Sequence, residues 1–530
     1  MELRGEVHLL VWVAAAVVLL TLLALSILPA LQDYVRKWKL MKPIPGPGPN
    51  YPIVGDALFL KPNGGDFFLQ MCEFTESFRS EPLIKIWIGP IPFIIVYHAD
   101  TVEPILSTSK HMDKAYSYKF LHPWLGKGLL TSTGEKWRSR RKMITPTFHF
   151  AILSEFLEVM NEQSKILVEK LQKHVDGESF NCFMDVTLCA LDIISETAMG
   201  RKIQAQSNRD SEYVHAIYKM SDIIQRRQKM PWLWLDFFYA YLKDGKEHDK
   251  NLKILHAFTD KEKAILERAE ELKKMGEQKK EHCDSDPESD KPKKRSAFLD
   301  MLLMATDDAG NKMSYMDIRE EVDTFMFEGH DTTAAALNWS LFLLGSHPEA
   351  QRQVHKELDE VFGKTKTGKS DRPVTMDDLK KLRYLEAVIK EALRIYPSVP
   401  FFARTVTEDC SIRGFHVPKG VNVVIIPYAL HRDPEYFPEP EEFRPERFFP
   451  ENASGRNPYA YIPFSAGLRN CIGQRFALME EKVVLSSILR NYWVEASQKR
   501  EDLCLLGDLI LRPQDGMWIK LKNRETAPTA

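Results

Sequence analysis

The stretch Phe464-Ser-Ala-Gly-Leu-Arg-Asn-Cys-Ile-Gly473 constrains this chain more than any other. It sets one cysteine, Cys471, in a glycine-flanked loop, and that loop opens an apolar helical pattern running to about Arg490. Gly467 and Gly473 let the backbone come close to a flat ligand. The start of a helix offers free N–H groups and positive potential, which favour a thiolate over a thiol. A thiolate so placed is suited to ligate haem iron axially, where its electron donation favours O–O cleavage. Arg469, two residues before the sulfur, is suited to pair with a haem propionate.

The rest of the chain is compatible with a large enzyme and excludes several other classes. It has 530 residues and a net charge of −2, so there is no global pull toward nucleic acid or another polyanion. Its seven cysteines are scattered, with no C-x-x-C pair. That speaks against a disulfide framework and a zinc site, and for a reducing compartment. From Val7 to Leu31 there is no Asp, Glu, Lys or Arg, a run long enough to cross a bilayer as a helix. A secretory signal would have a basic leader and a shorter apolar core. Here the leader holds Glu2, Arg4 and Glu6, and the basic residues Arg36, Lys37, Lys39 and Lys42 follow the run. Basic flanks stay cytosolic. The expectation is an uncleaved anchor with a lumenal N-terminus and a cytosolic body, where Asn338-Trp-Ser and Asn452-Ala-Ser stay unglycosylated.

Three segments follow: a membrane anchor over 1–32, a basic flank and Pro-rich hinge over 33–55, and one catalytic domain over 56–530. Pro43 to Pro52 cannot be a helix and reads as a stiff spacer. Ile84–Tyr97 alternates around Gly89-Pro90 and predicts a β-hairpin. Leu509–Lys522 predicts a second hairpin turning at Asp515-Gly516. Between them the patterns are long and helical. The charge-dense stretch Glu270–Arg295 reads as a surface loop. The expected fold class is mainly α with small β-sheets.

A helical pattern over Glu320–Leu344 holds Phe327-Glu-Gly-His-Asp-Thr-Thr333. Glycine inside a helix costs about 1 kcal/mol against alanine, so Gly329 implies a close backbone approach or a local widening. Asp331 and Thr332 form an acid–alcohol pair. Reductive activation of O2 consumes two protons, and a dry pocket needs a relay to deliver them. His330, without histidine or cysteine neighbours, reads as a packing residue.

The pattern Phe-x-x-Gly-x-Arg-x-Cys-x-Gly resembles the haem-binding loop of the cytochrome P450 monooxygenases, and further motifs of that family follow in order. The resemblance implies the cytochrome P450 fold and haem b, with Cys471 as iron ligand and Phe464, Arg469, Trp137, Arg141 and Arg404 around the cofactor. It implies a Glu–Arg–Arg network of Glu391, Arg394 and Arg447 that positions the segment leading to the cysteine. Phe325 to Thr333 resembles the family 4 version, the fatty-acid ω-hydroxylases, with Glu328 where other members carry a small residue. In several family 4 enzymes this glutamate is esterified to a haem methyl, and an ester at Glu328 is the corresponding expectation. Leu468 departs from the proline frequent in this loop, at a position the motif leaves open. The implied reaction is ω-hydroxylation of medium-chain to long-chain fatty acids, polyunsaturated ones included, at the endoplasmic reticulum membrane. Electrons would come from NADPH through the separate NADPH–cytochrome P450 reductase, with cytochrome b5 as a further candidate donor. Arg138, Arg140, Lys142 and Arg475 are a candidate docking face, and Phe120, Leu121, Leu125, Phe327 and Phe402 are candidate pocket walls. The rival readings are a sterol or xenobiotic hydroxylase of the same fold, a haem-thiolate isomerase or dehydratase needing no external electrons, and a non-enzymatic haem sensor or carrier.

Overall fold

The computed structural model describes residues 2–208, 211–259, 297–307, 310–363 and 372–524. The charge-dense stretch 270–295, expected to be a surface loop, lies outside them.

The helix that organises the body is Tyr315–Ser346, 32 residues long. Ser314 starts it as an N-cap, its Oγ accepting the Asp317 N–H at 3.2 Å while the Asp317 carboxylate accepts from the Ser314 hydroxyl at 2.7 Å. From Thr333 to Leu344 every residue is buried. A helix apolar on all sides has to run through a core, and this one does. It packs on Phe183–Met199, which stops at Gly200 in the left-handed conformation, and on Gln474–Asn491, the helix that follows the cysteine loop. Gly329 is explained by that packing: a Cβ there would lie 2.6 Å from Ile194 Cδ1.

The sheets stand to one side. A four-stranded sheet has the order Ile84–Ile88, Ile91–Val96, Asn422–Ile425, Phe402–Thr405. Its first pair is the expected hairpin, with Ile86 opposite Phe93, and Ile91–Val96 runs parallel to Asn422–Ile425. The second expected hairpin is not formed. Leu511–Pro513 pairs with Leu505–Gly507, whereas Trp518–Asn523 lies between Phe180–Asn181 and Tyr492–Ala496. Asp515-Gly516 does turn the chain, with Gly516 at φ +77°. Both edges of Trp518–Asn523 are already taken, however, and Pro513 has no N–H to offer a partner. Two strands that alternation makes look like mates therefore sit in different sheets.

One N-terminal helix, Glu2–Leu40, is long and apolar enough to cross a membrane over its Trp12–Leu40 part. Its last turns dock on the four-stranded sheet. The Tyr34 and Trp38 rings lie 5.3 and 5.2 Å from Trp87, and Arg36 pairs with Asp409. The Pro-rich segment after it is pinned to the same sheet, for the Lys85 N–H donates to the Pro45 carbonyl at 2.8 Å, and just before it Lys85 Nζ donates to the carbonyls of Met41 and Lys42 at 2.9 and 3.1 Å.

Candidate active site

Cys471 sits where the sequence motif sets it, one turn before Gln474–Asn491, and faces a cavity of about 250 Å3. The loop is held by its backbone. The Cys471 N–H donates to the Phe464 carbonyl at 2.9 Å, and Gly467 adopts φ +70° because a Cβ there would lie 1.9 Å from the Leu106 carbonyl oxygen. Burial, and next the charge of Glu328, push the Cys471 thiol up to about 11. The N–H groups of Gly473 and Gln474 and the guanidinium of Arg141 act the other way.

Trp137, Arg141, Arg404, Phe464 and Arg469 all line this cavity. Arg469 donates to the carbonyls of Met112 and Ser132, each at 2.7 Å, and lies 4.7 Å from the centre of the Trp137 ring. Arg141 donates to Asn470 through both Nη atoms at 2.8 Å and so clamps the residue before the cysteine. Arg404 comes from the strand Phe402–Thr405 and is 2% exposed. Lys114 lines the cavity too, beside Arg404 through an isolated bridge between their backbones. No sequence motif marks Lys114; only that pairing brings it in.

Three arginines and a lysine thus converge on one cavity, with the carboxylates of Glu328 and Glu481 among its lining. Burial pulls Arg469 down to about 9 and Lys114 well below the usual lysine range, and lowers Arg404 and Arg141. Cations buried in this way are costly unless anions meet them. A group that carries two carboxylates answers that need, so the donor set fits haem, which Cys471 would ligate and whose propionates Arg404, Arg469, Lys114 and Trp137 would hold.

Glu328 and Thr332 stand on the cavity wall one helical turn apart. Burial raises the Glu328 carboxyl to about 7, against the opposing charges of Lys114 and Arg469. The Thr332 hydroxyl donates to the Glu328 carbonyl at 2.6 Å. Asp331 lines neither this cavity nor the apolar one beyond it. It is buried against Arg512 in a close ion pair. Arg512 is another residue that sequence reasoning missed, since its strand lies far along the chain. His330 is buried, with Nδ1 2.6 Å from the Met326 carbonyl.

The Glu–Arg network is assembled. Arg394 Nε and Nη2 donate to Glu391 at 2.7 and 2.8 Å, and Arg447 Nε lies 3.4 Å from the same carboxylate. Of the four cations expected to share a docking face, one is not at the surface. Arg140 is buried and paired with Asp317, so it ties its helix to Tyr315–Ser346, while Arg138, Lys142 and Arg475 are exposed.

A second cavity of about 200 Å3 shares Tyr118, Leu130, Glu328, Thr332, Val399 and Phe402 with the first. Leu121, Phe327 and Phe402 line it as expected; Phe120 and Leu125 line neither cavity. Phe120 instead packs on Tyr116 and Trp234.

A cytochrome P450 family model matches residues 45–520. The chain is 62% identical to cytochrome P450 4V2 of Homo sapiens, over 97% of each chain. It is 49% identical to cytochrome P450 4c3 of Drosophila melanogaster, over 92% of this chain and 91% of that one. The crystal structure of the cytochrome P450DA haem domain superposes with a TM-score of 0.74 at 24% identity, over 91% of this chain and 98% of that one. A cavity lined by this cysteine and by buried cations, inside this fold and at this level of identity, leaves one conclusion: the chain belongs to the cytochrome P450 family, within family 4, and is a haem-thiolate monooxygenase.

Proposed function

We propose that this protein ω-hydroxylates fatty acids. The observation that carries the reading is the second cavity: a channel walled by aliphatic and aromatic side chains such as Ile86, Phe93, Ile95 and Val424 that opens onto Glu328 and Thr332. An apolar wall binds an alkyl chain without regard to position, so only a channel that admits the chain end-on puts the methyl carbon at the reacting centre. Haem, when bound to Cys471, supplies O2 activation. Around it this chain excludes water, orients the substrate and delivers protons.

The Thr332 hydroxyl is the donor nearest the reacting space. Bonded to the Glu328 carbonyl, it is the hydroxyl that would hold a proton beside the cofactor and pass it on when O2 chemistry is supplied there. Asp331 can resupply that proton only when its pair with Arg512 opens. Glu328, held up by burial and lining both cavities, is the residue that would form an ester to a haem methyl. The ester would remove a buried charge and make the pocket wall rigid.

The helix Glu2–Leu40 is read as a single-pass anchor in the endoplasmic reticulum membrane, with 56–530 as a cytosolic catalytic domain. Exposed Trp232, Leu235, Phe237, Phe238 and Tyr241 form an apolar patch suited to the same lipid surface. NADPH–cytochrome P450 reductase is the electron donor on this reading, with cytochrome b5 as a second candidate, and Arg138, Lys142 and Arg475 help to dock it. The test is product analysis by mass spectrometry, with reductase and NADPH, on a panel of fatty acids, sterols and drugs. Terminal hydroxylation of fatty acids supports the reading. Oxidised sterol or drug as the main product keeps the family and overturns the substrate.

A further inference from the structure

Beyond the wall it shares with the first cavity, the second cavity is mostly apolar, but Lys229, Gln225, Gln228 and Asp508 also line it; none of these four lines the first cavity. Lys229 ends the helix Glu212–Lys229 and is 3% exposed. The other two cations of that last turn have carboxylates. Arg226 pairs with Asp222 and Asp244, and Arg227 with Asp236. Among the described residues Lys229 has none within ion-pair distance. Its Nζ donates to the Pro62 carbonyl at 2.9 Å and lies 4.3 Å from the centre of the Phe67 ring. An ammonium has three N–H donors, so donor capacity and charge are left over inside an apolar cavity. Burial accordingly pulls Lys229 down to about 7. The helix C-terminus accounts for a cation at this position. It does not account for one buried on the wall of a cavity that adjoins the first.

Resting on the fatty-acid reading above, we propose that Lys229 receives the substrate carboxylate in the part of the second cavity that the first does not share, and so directs the methyl end to Thr332. Gln225, four residues earlier and on the same helix face, lines the cavity beside it. Asp508 is the one acidic group there. Its Oδ1 has no donor, and burial, its largest cause, raises it to about 6. In its protonated form it donates to a carboxylate bound by Lys229. A head-group anchor at one end of an apolar channel gives the substrate a direction that the channel alone does not.

The test uses the full-length haem-loaded protein and two probes of equal chain length, myristic acid and its methyl ester. Wild type should bind the acid more tightly than the ester. Lys229→Met should weaken the acid on the order of tenfold to a hundredfold, the range for loss of a hydrogen bond to a charged group, and leave the ester unchanged. The unchanged ester also reports an intact pocket. Oxidation of the acid should spread from the terminal carbon inward, and Lys229→Arg should restore part of the acid preference. Equal weakening of acid and ester, or an unaltered acid, in an enzyme that still ω-hydroxylates fatty acids overturns the assignment of Lys229 alone. Loss of binding in Asp508→Asn with Lys229→Met unaffected overturns it as well, and points to a hydroxyl head group. A wild type that oxidises no fatty acid overturns the reading beneath it.

Discussion

Replacing Arg394 by lysine keeps a positive charge and removes a fork. The Arg394 side chain is fully buried, and its guanidinium donates five hydrogen bonds. Two go to the Glu391 carboxylate at 2.7 and 2.8 Å, and three to the carbonyls of His431, Pro440 and Glu442 at 3.1, 2.7 and 3.1 Å. An ammonium has three donors on a single nitrogen, so at least two of these acceptors lose their partner. Each buried acceptor left without one costs about 1–3 kcal/mol, which gives about 2–6 kcal/mol for the substitution. For a large protein that holds a cofactor, the practical reading is a rate of irreversible inactivation. If these bonds break before the unfolding barrier, a loss of about 3 kcal/mol speeds inactivation on the order of a hundredfold. The carbonyls at stake belong to the segment that leads to Cys471, so haem should be lost in step with the fold. The assay follows haem absorbance and far-UV circular dichroism together at constant temperature. A variant with a half-life within threefold of wild type would refute the reasoning. The pair Glu391→Met and Arg394→Met should cost less together than the sum of the two alone, because neither charge is then left without its partner.

Gly467→Ala meets both an unfavourable φ and the Leu106 carbonyl oxygen; expressed protein should hold little haem, and normal haem content would show that the loop has room. Lys114→Met removes a buried cation from the haem cavity, so transfer of haem to an excess of apomyoglobin should speed up several-fold, and an unchanged rate would remove Lys114 from the propionate set. Thr332→Ala should uncouple NADPH consumption from product and release peroxide, and an unchanged coupling ratio would count against the relay. Glu481 is buried and raised to about 8 by that burial. Between the usual glutamate range and pH 8 the unfolded chain ionises while the fold retains the proton, so stability falls as pH rises through that window. Glu481→Gln should remove the share of this slope due to Glu481, the part due to Glu480, which burial also raises, remaining. It should match wild type near pH 4.5 and gain on the order of a few kcal/mol on it by pH 8, read from inactivation half-lives; parallel pH profiles would refute the burial argument.

What the sequence by itself determined is local. The cysteine loop, the hairpin at Ile84–Tyr97, the long helix carrying Glu328 and Thr332, and the Glu391–Arg394 pair were legible because each is written in residues a few positions apart. A glycine inside a helical pattern, an arginine three residues after its glutamate and an apolar run carry their physical reason with them. Tertiary structure decided what depends on partners far along the chain. Arg512 pairs with Asp331 from a distance of 181 residues. Lys114 reaches the haem cavity only because it bridges to Arg404. Arg140 looks like a surface charge until Asp317 buries it. Trp518–Asn523 left its apparent hairpin mate because two other strands occupied both its edges. Alternation, charge and spacing say which face of an element is apolar and which groups need a partner. They do not say which partner arrives, because that choice is made by the competition among all buried surfaces and unpaired groups when the core closes.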